Sequence, residues 1–438
     1  MNLQLLVTLA MASVLISAPA RRAETLRTDS VFPYDDVHPE EMNTHDPSVA
    51  LVNGVYCLVA TSRDSFVPIW TSRDRVHWKY WGPVLPDQPN WLQAAVPQHT
   101  SIWAPAPLLT AGKFRIYYCA SQKFGSNTSF IGMAENDRFD PDQPTQGWVD
   151  KGKLIESDAG KDNFNAIDPD VCTGPDGRQW MVYGSYWSGI YEMELDPETG
   201  LLKSGATPVH VASNTGERGN PLEAPFLRFH NGYYYLCVTY GLAAQGVHST
   251  YRMMIGRSKE PEGPFVGFDG TPMTEGGHTD LLKSSPPMFA PGGGNMFEDA
   301  KGDWWLAYHY YDSTKHWVGD IWGRPTLQIR KVVWGADGWP LPGLPDGVRL
   351  EHANSIEGPW EFQTNFGDPV KFNFHREGWV TQDKRSGLWK AVGGHLTITW
   401  PSGADEFELD ESNQYMVGRT GSGVVVRGVR LGPNLRRL

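Results

Sequence analysis

One pattern occurs five times in this chain, and it restricts the fold more than any other feature. "HDPSVALVNGVYCLVAT" begins at His45, "WAPAPLLTAGKFRIYYCA" at Trp103 and "IDPDVCTGPDGRQWMVYGS" at Ile167. "LEAPFLRFHNGYYYLCVTYG" begins at Leu222, and "APGGGNMFEDAKGDWWLAYHYYD" at Ala290. Each copy has a proline, a short apolar strand, a Gly-containing turn and an aromatic strand. The prolines are Pro47, Pro105, Pro169, Pro225 and Pro291, at intervals of 58, 64, 56 and 66 residues. Strand alternation and Gly, Pro and Asn turns dominate, with almost no helical periodicity. Five units of some sixty residues, each a run of short strands, predict an all-β five-bladed β-propeller over residues 33–340.

In such a ring the first strand of each blade lines the axis, so residues at the strand mouths gather at one end of the channel. Asp46 precedes Pro47, Asp168 precedes Pro169, and Glu223 lies at the mouth of the fourth unit. A lone Asp-Pro is ordinary turn chemistry. Three carboxylates converging from distant parts of the chain repel one another and shift each other's pKa, which stability alone does not favour. The repeat therefore marks Asp46, Asp168 and Glu223 as candidate catalytic residues.

The balance of 38 Lys and Arg against 50 Asp and Glu gives a formal charge of −12. That argues against nucleic acid and anionic membranes as partners, since both require a basic footprint. The abundance of Trp, Tyr and Phe suits an all-β core or stacking on sugars. Residues 1–20 have an apolar run from Leu3 to Ile16 and end in Ala18-Pro19-Ala20, which reads as an export signal despite lacking an early Lys or Arg. The expected location is secreted or periplasmic. Cys57, Cys119, Cys172 and Cys237 form no CxxC, so they are expected to be buried thiols, with one disulfide as the alternative.

The strings "HDPSV", "SIWAP", "FGSNTSFIGMA", "NAIDPDV", "WMVYGSYWSGIYEMEL", "LEAPFL", "AYHYYD" and "RPTLQIRKVVWGADGWP", in this order, resemble the arabinan-degrading members of glycoside hydrolase family forty-three. The resemblance covers about residues 43–341. It implies an inverting hydrolase of internal α-1,5-L-arabinofuranosidic bonds, acting on plant cell-wall arabinan or arabino-oligosaccharides. By position, Asp46 matches the general base and Glu223 the general acid. Asp168 matches the acid that tunes and orients the proton donor. His309 matches a channel histidine associated with a metal ion, usually Ca2+. Inversion needs a protonated and an ionised carboxyl roughly 6.5–9.5 Å apart, with room for water. Trp103, Phe124 and Trp187 are candidates to stack on furanose rings, and Asn165 and Ser185 to bond sugar hydroxyls. The chain departs from the family at Ala106, where an acid usually follows "WAP", and at "APGGGN", where a "GPGHN"-like string is usual.

After Pro340 the pattern changes to a linker and then short strands with Gly turns, predicting a small C-terminal β-barrel or sandwich over residues 355–430. Two other functions remain open. One is an exo-acting α-L-arabinofuranosidase or β-xylosidase on the same scaffold. The other is a non-catalytic carbohydrate-binding propeller, which would be expected to lack one or more of the three carboxylates.

Overall fold

A computed structural model describes residues 32, 35, 42–61, 66–96 and 102–432. The export signal at residues 1–20 lies outside them. Five four-stranded antiparallel sheets follow one another along the chain. Blade one contains β1 (His45–Val52), β2 (Val55–Thr61), β3 (Phe66–Ser72) and β4 (Lys79–Leu85). Blade two contains β5 (Trp103–Thr110) to β8 (Val149–Ser157), and blade three β9 (Asp170–Thr173) to β12 (Val209–Ala212). Blade four contains β13 (Leu222–His230) to β16 (Thr279–Leu282), and blade five β17 (Met288–Glu298) to β20 (Pro340–Pro345). The first strands β1, β5, β9, β13 and β17 touch in sequence, and β17 returns to β1. This is the five-bladed propeller expected from the repeat. Among the described residues the single α-helix, α1 (Asn90–Ala95), is a six-residue link before blade two.

Local chemistry sets the blades. The turns Asn53-Gly54, Ala111-Gly112 and Asn231-Gly232 each have two residues of positive φ, the backbone of a tight hairpin. They pin the registers Val52↔Val55, Thr110↔Lys113 and His230↔Tyr233. Second strands such as β6 (Lys113–Ser121) are buried almost throughout, because each sheet is covered by its neighbours on both faces. Ring closure between blades five and one depends on a side chain. Asn295 Nδ2 donates to Val49 O at 2.9 Å, and Asn295 Oδ1 accepts from Val49 N at 3.0 Å. The four cysteines are free and buried.

The C-terminal strands β21 (Gly358–Thr364) to β28 (Val425–Arg430) form a closed eight-stranded barrel. It shares a core with the propeller: Phe226, Met253, Trp339, Tyr415, Val417 and Val429 belong to one buried cluster. An ion cluster lies in the same seam. Asp35 receives Arg427 Nη1 at 2.8 Å and Nη2 at 2.9 Å, and also pairs with Arg330 of blade five. All three residues are about 1% exposed. Burial alone would raise the Asp35 carboxyl, but the Arg427 and Arg330 guanidiniums outweigh it and hold the group below the ordinary aspartate range.

Removing one partner of such a cluster strands a buried charge, at a cost of about 3–5 kcal/mol. Asp35→Ala should therefore lower unfolding free energy by about that amount, measured by urea denaturation near pH 7. Because the folded-state pKa is depressed, this contribution is full above the unfolded value of about 4. It disappears as pH falls through the lower folded value, so the stability gap between wild type and variant should narrow in acid.

Candidate active site

The five prolines share a backbone feature that their sequence alone does not reveal. The residue before each one is left-handed: Asp46 (φ 49°), Ala104 (38°), Asp168 (56°), Ala224 (48°) and Ala290 (46°). Such a conformation costs a non-glycine residue on the order of 1–3 kcal/mol. In blades one, two, four and five the strand pairing shifts register at this point. The bulge turns the backbone N–H out of its own ladder, and a neighbouring group accepts it. Ala104 N donates to Thr61 Oγ1 at 2.8 Å, and Asp168 N to Cys119 Sγ at 3.3 Å. Ala224 N donates to Asp168 Oδ2 at 3.1 Å, and Asp46 N to His309 Nδ1 at 3.1 Å. In these four the acceptor belongs to the preceding blade. Ala290 N uses Ser284 Oγ, 2.9 Å away, in the link before blade five.

Asp46 and Asp168 thus occupy equivalent positions, each left-handed and directly before the proline of its blade, and line one pit at the channel mouth with Pro47, Pro105, Pro169 and Pro225. Glu223 does not share that register, which corrects the reading of three equivalent strand-mouth acids. It lies two residues before Pro225 and stays in the ladder opposite Thr239, while Ala224 takes the bulge. It nevertheless joins the same electrostatic cluster, since its charge and that of Asp46 both act on Asp168.

The surroundings of each carboxylate differ. Asp46 Oδ2 accepts from Thr61 Oγ1 at 2.6 Å. Glu223 Oε2 accepts from Ser185 Oγ at 2.7 Å, and Oε1 accepts from the Tyr251 hydroxyl. Burial raises the Glu223 carboxyl; the hydrogen bonds from Tyr251 and Ser185 oppose this, Asp46 adds to it, and the net shift is upward. Asp168 is raised well above the usual range, first by burial and then by the charges of Glu223 and Asp46, against the single Ala224 N–H. Both carboxyls are thus shifted toward their protonated forms, and the Glu223 charge contributes to the shift of Asp168. A carboxyl biased toward its protonated form beside a further carboxylate suits chemistry that protonates one group and deprotonates another.

A model of the glycosyl hydrolases family 43 matches residues 41–340, the whole span that carries this cluster. The chain belongs to glycosyl hydrolase family 43. Similar curated proteins include an extracellular exo-α-(1→5)-L-arabinofuranosidase of Cellvibrio japonicus, 31% identical over 69% of this chain and 86% of the relative. An extracellular endo-α-(1→5)-L-arabinanase of Bacillus subtilis is 33% identical over 68% and 86%. An endo-1,5-α-L-arabinanase structure from Thermotoga petrophila covers 90% of this chain and 100% of its own, at TM-score 0.72 and 22% identity. That likeness shows a shared fold through the barrel as well as the propeller.

The other residues singled out in this family 43 chain fall into different settings. Ser185 and Trp187 lie in the loop after β10 (Gln179–Tyr183), where Tyr186 and Trp187 are both left-handed. Tyr186 N donates to Leu222 O at 2.8 Å, which brings the loop beside Glu223. Trp187 is half-buried. Trp103 packs partly into the core between blades two and three, and its carbonyl accepts from Cys119 Sγ at 3.2 Å. Asn165 is buried with its Oδ1 unpartnered. Phe124 is 78% exposed on the β6–β7 turn, outside the carboxylate network. Tyr251 and Thr61 escaped the sequence analysis, which expected Cys119 only as a buried thiol, because each sits in an ordinary strand or strand-edge context.

His309 is fully buried, its ring centroid 4.0 Å from that of His45. Burial, and then His45, lower its pKa well below the usual imidazole range. The Asp46 N–H fixes Nδ1 as acceptor and leaves the ring proton on Nε2, which has no partner. His45, Asp46 and His309 each place a potential ligand atom within 4.8 Å of the others. A neutral ring with one unsatisfied nitrogen fits a hydrated ion, reached through water rather than a direct nitrogen bond. The "APGGGN" departure has a steric cause. A Cβ at Gly292 would lie 2.4 Å from Thr239 Cγ2, at Gly293 2.3 Å from Asp46 Oδ1, and at Gly294 2.0 Å from Ala307 O. No side chain fits along that run.

Cys119 links two of these features, accepting from Asp168 N–H and donating to Trp103 O. Cys119→Ala should leave the Asp168 N–H unsatisfied and cost about 1–3 kcal/mol of stability. Cys119→Ser, which keeps an acceptor and a donor, should recover part of it. Paired urea melts measure both. Equal losses in the two variants would mean that packing, not hydrogen bonding, is what Cys119 supplies.

Proposed function

We propose that this glycoside hydrolase cleaves internal α-1,5-L-arabinofuranosidic bonds of arabinan with inversion. The observation that carries this is the convergence of three carboxylates from distant blades: Asp46 and Asp168 line one pit at the channel mouth, and the charges of Glu223 and Asp46 both act on Asp168. Glu223, held by Tyr251 and Ser185, gives its proton to the leaving oxygen. Asp46, oriented by Thr61, takes a proton from the water that attacks the anomeric carbon. Asp168 positions Glu223 and keeps the proton available between turnovers. Water oxygen replaces the leaving oxygen on the opposite face in one step, with no glycosyl-enzyme. The substrate assignment follows the names of the two curated relatives, an exo-α-(1→5)-L-arabinofuranosidase and an endo-α-(1→5)-L-arabinanase. Both are also called extracellular, which agrees with export directed by residues 1–20. No helix among the described residues is long and apolar enough to cross a membrane.

The second reading is exo action, favoured by the similar identity of the exo-acting relative. One time course separates the two. With debranched arabinan, oligosaccharides of mixed length should appear first; arabinose alone from the start means exo action. NMR of the initial product should show the β-anomer before mutarotation, and an initial α-product would overturn the water-mediated mechanism. Glu223→Gln should lower kcat by at least about 100-fold, the low end for losing a general acid, while the fold persists.

For the metal, the proposal is a calcium ion whose water is held by His309 Nε2–H. Bound there, it would add positive charge near the carboxylates, and hard cations keep water and oxygen ligands. Exhaustive chelation should lower Tm or activity, and added calcium should restore it. Identical behaviour of the stripped and calcium-loaded protein would remove the ion from the site.

A further inference from the structure

One part of blade five falls between the strings that resemble the family. "AYHYYD" ends at Asp312 and "RPTLQIRKVVWGADGWP" begins at Arg324. The residues between them, "STKHWVGDIWG", carry β18 (Trp304–Val318) and β19 (Ile321–Trp334) beyond their own sheet. The last rung of β18 with β17 is Met288↔Asp312. Beyond it β18 and β19 pair with each other, at His316↔Trp322 and Val318↔Ile321. β18 passes the pit at His309, whose Nδ1 accepts the Asp46 N–H, and continues outward in the same direction. At about 3.3 Å per residue, the run from Asp312 to Val318 adds about 20 Å of ribbon at the channel mouth.

The base of the ribbon is clamped by close backbone packing. The 3-10 turn Gly246–His248 of blade four packs on both strands. A Cβ at Gly246 would collide with Trp322 O, and one at Gly323 would lie 2.6 Å from Val247 N.

Trp317 reaches inward from this ribbon. Its ring stacks on that of His45, with centroids 6.0 Å and planes 26° apart, and meets Tyr311 at 5.8 Å. It packs against the buried cluster of Tyr251, Ala290 and Tyr311. Trp317 thus adjoins the supports of two carboxylates, since His45 precedes Asp46 and the Tyr251 hydroxyl donates to Glu223. The indole is nevertheless only half-buried, so this packing leaves part of the ring uncovered. A flat aromatic surface beside the reacting groups of a glycoside hydrolase suits the C–H face of a sugar ring.

The geometry points to Trp317 as a specificity-determining residue, whose indole stacks on a sugar unit flanking the cleaved bond. The ribbon bounds the cleft on the blade-five side. A stack on a flanking unit acts equally in the ground and transition states, so it lowers KM and leaves kcat unchanged. The choice of arabinose rests on the arabinan reading above; the stacking role does not.

The test is steady-state kinetics of the full chain on arabino-oligosaccharides and, separately, xylo-oligosaccharides, each from dimer to hexamer. Trp317→Leu keeps apolar packing on Tyr311 and removes the flat face. It should raise KM for the longer oligomers about fivefold, with kcat within about twofold of wild type. Trp317→Met carries the same expectation if the leucine variant does not fold, and Trp317→Phe should recover most of the loss. Trp322→Leu, whose native ring meets His316 rather than His45, should match wild type. A fall in kcat at unchanged KM would make Trp317 a prop for His45 and Asp46 and overturn the stacking role. Wild-type KM in Trp317→Leu, or an equal rise in Trp322→Leu, overturns it as well. If only xylo-oligosaccharides are cleaved, with the same pattern among the variants, the arabinan reading fails and Trp317 keeps its role. Activity on neither series overturns both.

Discussion

The propeller depends on the capture of a displaced backbone N–H by a neighbouring side chain. Each X-Pro bulge forces a left-handed residue and removes a donor from its ladder. A buried donor without a partner would add to the strain of that conformation. Thr61, Cys119, Asp168 and His309 accept these donors across the gap between blades. The same contacts therefore fix blade spacing and the mouth of the channel. Three of the four acceptors, Cys119, Asp168 and His309, are also buried groups whose pKa values are pushed far from their ordinary range, first by burial. Structure and chemistry are built from one set of hydrogen bonds.

Three acids in a small volume would ordinarily oppose folding. Here the opposition is reduced because burial shifts Asp168 and Glu223 toward their neutral forms, and because each carboxylate has its own donors. Asp46 has Thr61, Asp168 has the Ala224 N–H, and Glu223 has Ser185 and Tyr251. The different donor sets separate the roles of chemically similar groups. The glycine run 292–294 completes the arrangement by letting blade five approach Asp46 more closely than any Cβ would permit.

The barrel is continuous with this framework. The outward faces of β27 (Tyr415–Arg419) and β28 (Val425–Arg430) join a core shared with blades four and five, and Asp35 bridges Arg330 and Arg427 across the seam. A change in the barrel therefore reaches the fifth blade, which carries His309 and the glycines beside Asp46.

The sequence by itself determined the number of blades, because proline, tight turn and aromatic strand recur at nearly constant spacing. It also marked Asp46, Asp168 and Glu223 as candidates, because they recur at the strand mouths of the repeat. Only the tertiary structure decided that Glu223 is out of register with the other two, since bulge geometry depends on pairing with β14 (Tyr233–Tyr240). It alone brought Tyr251 to Glu223, Thr61 to Asp46 and Cys119 to Asp168. Those residues come from strands whose local patterns are those of ordinary sheet. The spacing along a chain records which strand a residue belongs to. Which blade lies opposite, and which nitrogen its side chain must satisfy, is fixed only when the ring closes.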